Sequence, residues 1–275
     1  MNHPTAHESG PAPGRRGQLR QPRLADVVAS VLRERIVDGE LEDGDLLPKQ
    51  DELLEEFRIS RPSLREALRI LESEGLLTVR RGNVGGSVIE APNADTSAYM
   101  FGLVLQSRRG SVADLADAIQ HIEPITASLC ASREDRETEV VPQLHANIEQ
   151  TEAALPDGPA FTRLSREFHE AMVAACGNQT LILMVGALES LWSEQERQWA
   201  QRAQSKGQYP GEKYRRAVLS AHKALVTAIA GGQAERAAKL ARRHLQESQH
   251  YALAEGSDRV VRATTLRAGY NHLGS

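Results

Sequence analysis

The chain has 275 residues, enough for two domains of ordinary size with a hydrophobic core. Hydrophobic residues make up 40% of it, charged residues 25%, and the formal net charge is −4. This balance excludes a histone-like polycation and an acidic tail protein, and it leaves room for a local basic patch. Two cysteines are too few for a disulfide scaffold or a cysteine-rich zinc module.

The sequence predicts neither a membrane span nor a signal peptide. The longest apolar run, 181–188, is far shorter than the roughly 20 residues that cross a bilayer. The first residues lack the apolar segment of a signal peptide. We therefore expect a cytoplasmic protein.

The N-terminal third of the chain predicts an arm followed by a small domain. Residues 1–22 are rich in proline, glycine and arginine without apolar periodicity, which predicts a disordered arm. Residues 23–91 form the first predicted domain. Its patterns predict helices from Leu24 to about 36, over 49–57 and over 61–74, then strands over 76–80 and 86–89 around a glycine-rich turn. This order predicts a winged helix-turn-helix.

The third predicted helix carries an apolar face and a basic stripe. At about 100° per residue, one face collects four apolar side chains, those of Leu64, Ala67, Leu68 and Leu71. Arg61, Arg65 and Arg69 fall on an adjacent stripe. Arginine suits DNA because its planar fork pairs with guanine or clamps a phosphate. The alternative is a solvated helix face whose arginines pair with acids such as Glu72.

Residues 47–68 read LPKQDELLEEFRISRPSLREAL, and Leu71 and the tripeptide 74–76 (EGL) follow. This stretch resembles the N-terminal signature of the GntR family of transcription regulators, over about residues 24–90. The resemblance implies a dimeric protein that binds operator DNA. The DNA contacts that it predicts are Lys49, Ser60, Arg61, Ser63, Arg65, Arg81 and Gly82.

Four positions depart from the family signature. Lys49 and Gln50 stand where the family has serine and glutamate, and Asp51 is acidic where related regulators are often basic. Arg58 replaces the glycine of the turn. If the backbone is left-handed there, a residue other than glycine costs about 1 kcal/mol.

Residues 92–255 predict a second, all-helical domain, so the fold class is mainly α: a winged helix-turn-helix followed by an antiparallel helical bundle. Seven helices are predicted, over 95–106, 111–132, 137–154, 159–176, 178–204, 212–230 and 233–255. Residues 256–275 lack a clear apolar face and predict a flexible tail.

Three histidines lie within good helical patterns: His169, His222 and His244. Neutral imidazoles on facing helices can converge on one divalent cation. The pattern is not that of a zinc protease, because no second histidine follows His169 at the required spacing. From the residues alone, ordinary core or surface histidines remain the alternative.

Residues 164–169 (LSREFH), the pair Gly177-Asn178, His222 and His244 resemble the all-helical FCD effector domain of the FadR-type subgroup. The resemblance implies a site for zinc or a similar divalent metal at His169, His222 and His244. Ser165 stands where the family has an aspartate, and a neutral hydroxyl is a poor ligand. The resemblance thus leaves open a metal completed by water or an effector carboxylate, or a metal-free pocket.

Asn178 and Arg197 are the predicted effector contacts; the alternative for Asn178 is a C-terminal helix cap following Gly177, and the alternative for Arg197 is a helix-surface or core role. The predicted function is that of a ligand-responsive DNA-binding regulator, a repressor that acts as a homodimer, senses a small carboxylate and is not an enzyme. The alternative is a helical-bundle metalloenzyme with a nucleic-acid-binding appendage. The missing HExxH pattern argues against it.

Overall fold

The computed structural model describes residues 23–80, 86–92, 94–254 and 256–263. The chain divides after Pro92 into two compact units. Both are built mainly from helices, so the predicted fold class is confirmed. No helix in these ranges is both long and apolar enough to cross a membrane.

The first unit is a three-helix domain with a hairpin. Its elements are α1 (Leu24–Val37), α2 (Gln50–Phe57), α3 (Arg61–Ser73), β1 (Leu77–Arg80) and β2 (Gly86–Ile89). Leu32, Leu53 and Leu71 form its core and are fully buried. Each such side chain contributes about 1.5–3 kcal/mol of burial. The predicted arm and the turn residues 81–85 lie outside the described residues.

The turn between α2 and α3 fixes the start of α3. Ser60 Oγ accepts a hydrogen bond from the Ser63 amide at 3.4 Å, and Pro62 occupies the first turn, where its missing N–H costs nothing. Arg58 has φ 50° and ψ 47°, the left-handed conformation that favours glycine over L-residues. The strain expected at this position is therefore present.

The second unit is a bundle of α4 (Ala94–Ser107), α5 (Val112–Ser132), α6 (Arg136–Glu139), α7 (Val141–Ala153), α8 (Gly158–Ala174), α9 (Gln179–Ser205), α10 (Glu212–Ala230), α11 (Ala234–Ser248) and α12 (His250–Ala254). Two of the helices predicted as continuous are each divided into two in the structure, so these predictions are wrong. The helix over 137–154 is divided at Val140, since Pro142 lacks the amide that would continue α6 but fits the first turn of α7. The helix over 233–255 is divided at Gln249.

Helix α5 is the centre of the bundle. It packs against α8, α9, α10 and α11, while α8 also pairs with α9 and α10 with α11. Phe168 on α8 and Trp192 on α9 are among the large side chains that this arrangement buries completely. Helices α5, α8, α10 and α11 therefore turn their inner faces toward one another.

Residues 256–263, the described part of the predicted flexible tail, pack against the start of α5, and residues 264–275 of that tail lie outside the described residues. The Val112 amide donates to the Arg259 carbonyl at 2.8 Å, and the Val261 amide donates to the Gly110 carbonyl at 2.9 Å. The Val261 side chain is fully buried. The first amides of a helix have no partner within it, and here the carbonyls of the tail satisfy those of α5.

Candidate DNA-binding helix and ligand cavity

Helix α3 presents its basic stripe to solvent. Its apolar face is buried against the rest of the first unit, and Arg61, Arg65 and Arg69 are exposed. Arg61 Nη2 lies 2.8 Å from Asp51 Oδ1, and Arg69 Nη1 lies 3.8 Å from an oxygen of Glu66. Exposed pairs of this kind are worth about 0–1 kcal/mol, so a phosphate can replace them at little cost.

Arg65 forms no ion pair with any residue that the structure describes. The alternative pairs with Glu72 are likewise not formed within those ranges. Arg65 follows Arg61 by one helical turn, and both lie in the half of α3 that begins at Ser60. The start of the helix therefore offers two guanidinium groups to a ligand, one of them unengaged.

The remaining predicted DNA contacts divide into three groups. Ser60 and Ser63 lie at the start of α3 with their hydroxyls 3.0 Å apart, and the Ser60 hydroxyl caps the Ser63 amide. Lys49 is exposed at the start of α2, where its amide donates to Glu52 Oε2 at 3.0 Å. Arg81 and Gly82 lie outside the described residues.

The three predicted metal-binding histidines meet in the second unit. His169 on α8, His222 on α10 and His244 on α11 are all buried, and their ligand atoms lie within 4.8 Å of one another. His244 Nε2 is 3.2 Å from His169 Nε2 and 2.9 Å from His222 Nε2. The structure thus brings together residues 75 positions apart in the sequence.

Burial keeps these imidazoles neutral. It lowers the pKa of His169 to about 3, with help from the positive Arg166, and it holds the pKa values of His222 and His244 well below their usual range. A neutral imidazole retains a lone pair for a metal. Two nitrogens that each lie 2.0–2.1 Å from a tetrahedral ion are about 3.3 Å apart, close to the spacing observed here. The donor set therefore fits zinc or a similar ion.

Glu123 orients the histidine cluster, and the sequence reasoning missed it. This buried residue of α5 accepts a hydrogen bond at Oε1 from His169 Nδ1 over 2.6 Å. With the proton on Nδ1, the lone pair of His169 Nε2 faces the other two histidines. A signal was available: Glu123 lies four residues after Ile119 and four before Ala127, on the apolar face of α5.

A second buried charge cluster adjoins the first. Arg166 on α8 forms an ion pair with Glu189, and its Nε lies 3.5 Å from an oxygen of Glu196; both acids belong to α9. Burial raises the pKa of Glu189 to about 8 and also raises the pKa values of Glu123 and Glu196. One guanidinium thus lies among three carboxyl groups, an arrangement that the sequence did not predict.

A cavity opens beside the histidines, between α8, α9, α10 and α11. It has about 30 Å³ for the centres of water molecules, which is room for about two of them. Ser165 lines it together with His169 and His244, and the Ser165 hydroxyl has no hydrogen-bond partner within the described residues. The serine at the position of the family aspartate therefore faces the cavity.

The structure does not bring Asn178 or Arg197 into this cavity. Asn178 is exposed and caps α9, accepting a hydrogen bond at Oδ1 from the Leu181 amide over 3.1 Å. Arg197 is exposed, pairs with Glu194 and lines a separate groove between α8 and α9. Asn178 therefore caps the start of α9 and not the end of a helix, as the alternative had it, and Arg197 lies on a helix surface; effector binding by either residue stays a prediction.

Comparison with known proteins matches both units. The family of bacterial regulatory proteins called gntR matches residues 24–85, and the FCD domain matches residues 114–247. The HTH-type transcriptional repressor NanR of Enterobacter sp. (strain 638) is 29% identical over 182 residues, which are 63% of this chain and 66% of the relative. The NanR repressor of Klebsiella aerogenes is 28% identical over 172 residues, 60% and 63% of the two chains. The chain thus spans slightly less than two thirds of the length of these relatives.

A solved structure shares the fold. The GntR protein of Streptococcus agalactiae superposes with a TM-score of 0.62 at 21% identity, over 82% of this chain and 99% of that one. The matching domains and relatives are those of transcription regulators and not of enzymes, in agreement with the prediction, and they do not favour a metalloenzyme. The chain belongs to the GntR family of bacterial regulatory proteins and carries an FCD domain.

Proposed function

We propose that the protein is a cytoplasmic, ligand-responsive repressor that binds operator DNA as a homodimer. Its FCD unit binds a small carboxylate effector together with a divalent metal. The observation that carries the proposal is α3, whose apolar face is buried while Arg61 and Arg65 are exposed at its start. Repression is supported by the NanR relatives, which are themselves named transcriptional repressors.

In this proposal α3 enters the major groove with its first turns. Recognition helices contact base edges mainly through their N-terminal residues, which here include Arg61 and Arg65. Fluorescence anisotropy with the DNA upstream of the gene tests the proposal. Binding should be saturable and should weaken steeply between 50 and 200 mM salt, because each neutralised phosphate releases counterions. Equal binding to unrelated DNA at every salt concentration would contradict it.

The homodimer is supported by exposed apolar surface in the second unit. Large apolar side chains of α4 and of the start of α9 are 39–56% exposed, namely Met100, Phe101, Leu103, Val104, Leu183 and Met184. Four of these six side chains lie within five residues of α4, and exposed apolar surface concentrated in this way is typical of interaction sites. Phe101→Asp should therefore shift the protein from dimer to monomer in sedimentation velocity. The control Ile125→Asp, at an exposed position of α5, should leave the dimer intact.

The metal is assigned to His169, His222 and His244. A bound divalent cation would supply positive charge for a ligand carboxylate, and Ser165 would add at most a weak contact. Because the cavity holds only about two waters, an effector enters only if lining side chains move, and this movement couples ligand binding to conformation.

Metal binding is tested on chelator-treated protein. Adding ZnSO₄ should raise the melting temperature of the wild type, since a ligand that binds only the folded state stabilises by about 2.7 kcal/mol at 100 times its Kd. His244→Ala should abolish the increase, and His145→Ala, at an exposed position of α7, should keep it. An equal increase in both variants would place the zinc elsewhere.

A further inference from the structure

The burial of the residues around the cavity shows where it comes closest to solvent. Of the twelve described residues that line it, nine are buried and three are half-buried. The three half-buried residues are Tyr209, Tyr214 and Ser248. Buried side chains enclose a cavity, whereas half-buried ones border water. These three residues therefore mark the mouth of the cavity.

Tyr209 differs from the rest of the lining because it does not belong to a helix. The other eleven described lining residues lie on α8, α9, α10 and α11, whereas Tyr209 lies in the loop 206–211 that joins α9 to α10. Gly207 gives this loop its first turn, with a φ of 66° that glycine adopts readily. A loop can move through a few backbone torsions, whereas Tyr214 and Ser248 are fixed to helices. Tyr209 is therefore the part of the mouth that can move by itself.

Contacts with three helices hold the Tyr209 side chain at the mouth. Its hydroxyl shares a hydrogen bond with Thr162 Oγ1 of α8 over 2.6 Å. Its ring lies so close to the first turn of α8 that a Cβ added at Gly158 would be 2.7 Å from it. The ring centroid is 5.5 Å from that of Trp199 on α9 and 5.6 Å from the guanidinium carbon of Arg215 on α10. The side chain is thus held in a closed position.

We propose that the loop 206–211 is the lid of the cavity and that the hydrogen bond between Tyr209 and Thr162 is its latch. While the lid is closed the cavity has room for about two water molecules, so a larger ligand enters when Tyr209 leaves the mouth. The inference rests on the proposed function, since it takes the cavity as the effector site. It goes further in naming the part of the chain that controls entry.

Metal loading of the full-length, chelator-treated protein measures the lid, because a cation must pass the mouth to reach His169 and His244. Co²⁺ is the probe, followed by stopped flow through the absorption that it gains on binding imidazole. Tyr209→Phe should load about fivefold faster than wild type, as expected when the closed state loses one hydrogen bond. Its dissociation constant should stay within about twofold of wild type, since release accelerates by the same factor.

Matched variants locate the entrance. Tyr214→Phe removes the hydroxyl that donates to the Ser248 carbonyl at 3.2 Å but leaves the latch intact, so it should load at the wild-type rate. Thr162→Val removes the other half of the latch and should load as fast as Tyr209→Phe. The double variant should load no faster than either single variant, because both changes remove the same hydrogen bond.

Acrylamide quenching tests the lid without a metal. Trp199 is only 6% exposed beside the Tyr209 ring, and in a Trp192→Phe background it is the one remaining tryptophan. Gly158→Ala keeps every hydroxyl but displaces the Tyr209 ring, so it should at least double the quenching constant. Gly186→Ala is the matched control, since a Cβ added there meets open space, and it should leave the quenching constant unchanged.

Each outcome decides the inference. If Tyr209→Phe loads Co²⁺ at the wild-type rate, the lid is wrong, while the metal site and the regulator stand. If Tyr214→Phe accelerates loading as much as Tyr209→Phe, entry does not depend on the loop, and the inference also fails. If the wild type binds no Co²⁺, the metal assignment fails and the quenching comparison decides the lid. The DNA titration judges the regulator separately.

Discussion

On α3 the arginines face water, whereas Arg166 in the second unit is enclosed by carboxyl groups. The exposed arginines have loose partners or none within the described residues, so they contribute little to the stability of the fold and are available to a ligand. Arg166, by contrast, contributes to stability, because its removal would leave buried carboxyl groups without a cationic partner. The difference separates residues that act by binding from residues that act by holding a site together.

The largest effect is expected where charge is buried. At pH 9, above the raised pKa of Glu189, Arg166→Met should lower the free energy of unfolding by about 3–5 kcal/mol, because it leaves the buried Glu189 and Glu196 carboxylates without their cation. Urea denaturation measures this. Arg163→Met, at an exposed i,i+4 pair with Glu167, should change the value by less than about 0.5 kcal/mol. If the free energy of unfolding fell by similar amounts in both variants, burial would not distinguish Arg166 from the exposed arginines.

The exposed stripe should show the opposite behaviour. Arg65→Ala should weaken operator binding about 30-fold, since a homodimer loses two contacts of about 1 kcal/mol each. The dependence of affinity on salt should become shallower, and the free energy of unfolding should stay within about 0.5 kcal/mol of wild type. Arg243→Ala, an exposed arginine of α11, is the matched control. Unchanged operator binding by Arg65→Ala would remove α3 from the DNA interface.

The buried cluster should also make stability depend on pH. Burial raises the pKa of Glu189 from its usual 4.5 to about 8, so the folded protein binds a proton that the unfolded chain has released. Between these values the free energy of unfolding falls as pH rises, by about 1.4 kcal/mol per pH unit for one proton.

The window from pH 7 to 8 shows this effect most clearly, because the histidines with lowered pKa values change the free energy of unfolding there by only about 0.4 kcal/mol in total, and in the opposite direction. In metal-free wild type Glu189 should account for a loss of about 1 kcal/mol across the window, because its proton is already half dissociated at pH 8, and Glu189→Gln should lack this loss. Glu167→Gln, whose side chain is 41% exposed, should follow the wild type. A flat wild-type profile would mean that Glu189 is already ionised at pH 7.

Features that depend on local residue patterns could be predicted from the sequence, and features that depend on contacts between distant helices could not. Periodicity and the order of elements located α1 to α3, both strands and the helical bundle, because each depends on local patterns of apolar residues. Resemblance selected His169, His222 and His244, which the fold brings together. Glu123 and the cluster around Arg166 depend on contacts between distant helices, and only the position of Glu123 on an apolar face hinted at one of them.

The same limit accounts for the position of the two predicted effector contacts outside this cavity. Asn178 follows Gly177 in a pattern that resembles the effector domain. Its side chain, however, caps the first turn of α9 by accepting a hydrogen bond from the Leu181 amide. Arg197 lies one residue after Glu196, and one helical position turns it from the cavity to the outer groove. Sequence patterns identified the helices that build the cavity and did not resolve which faces line it.

The smallest expected effect concerns the backbone of the exposed unit. Arg58 has a left-handed conformation that costs an L-residue about 1–2 kcal/mol, while glycine loses about 0.5–1 kcal/mol of unfolded-state entropy. Arg58→Gly should therefore raise the free energy of unfolding by up to about 1 kcal/mol. Arg58→Ala removes the same charge but keeps the strain, so it should not stabilise. If the two variants were equally stable in urea denaturation, strain would not explain the effect, and the charge of Arg58 would.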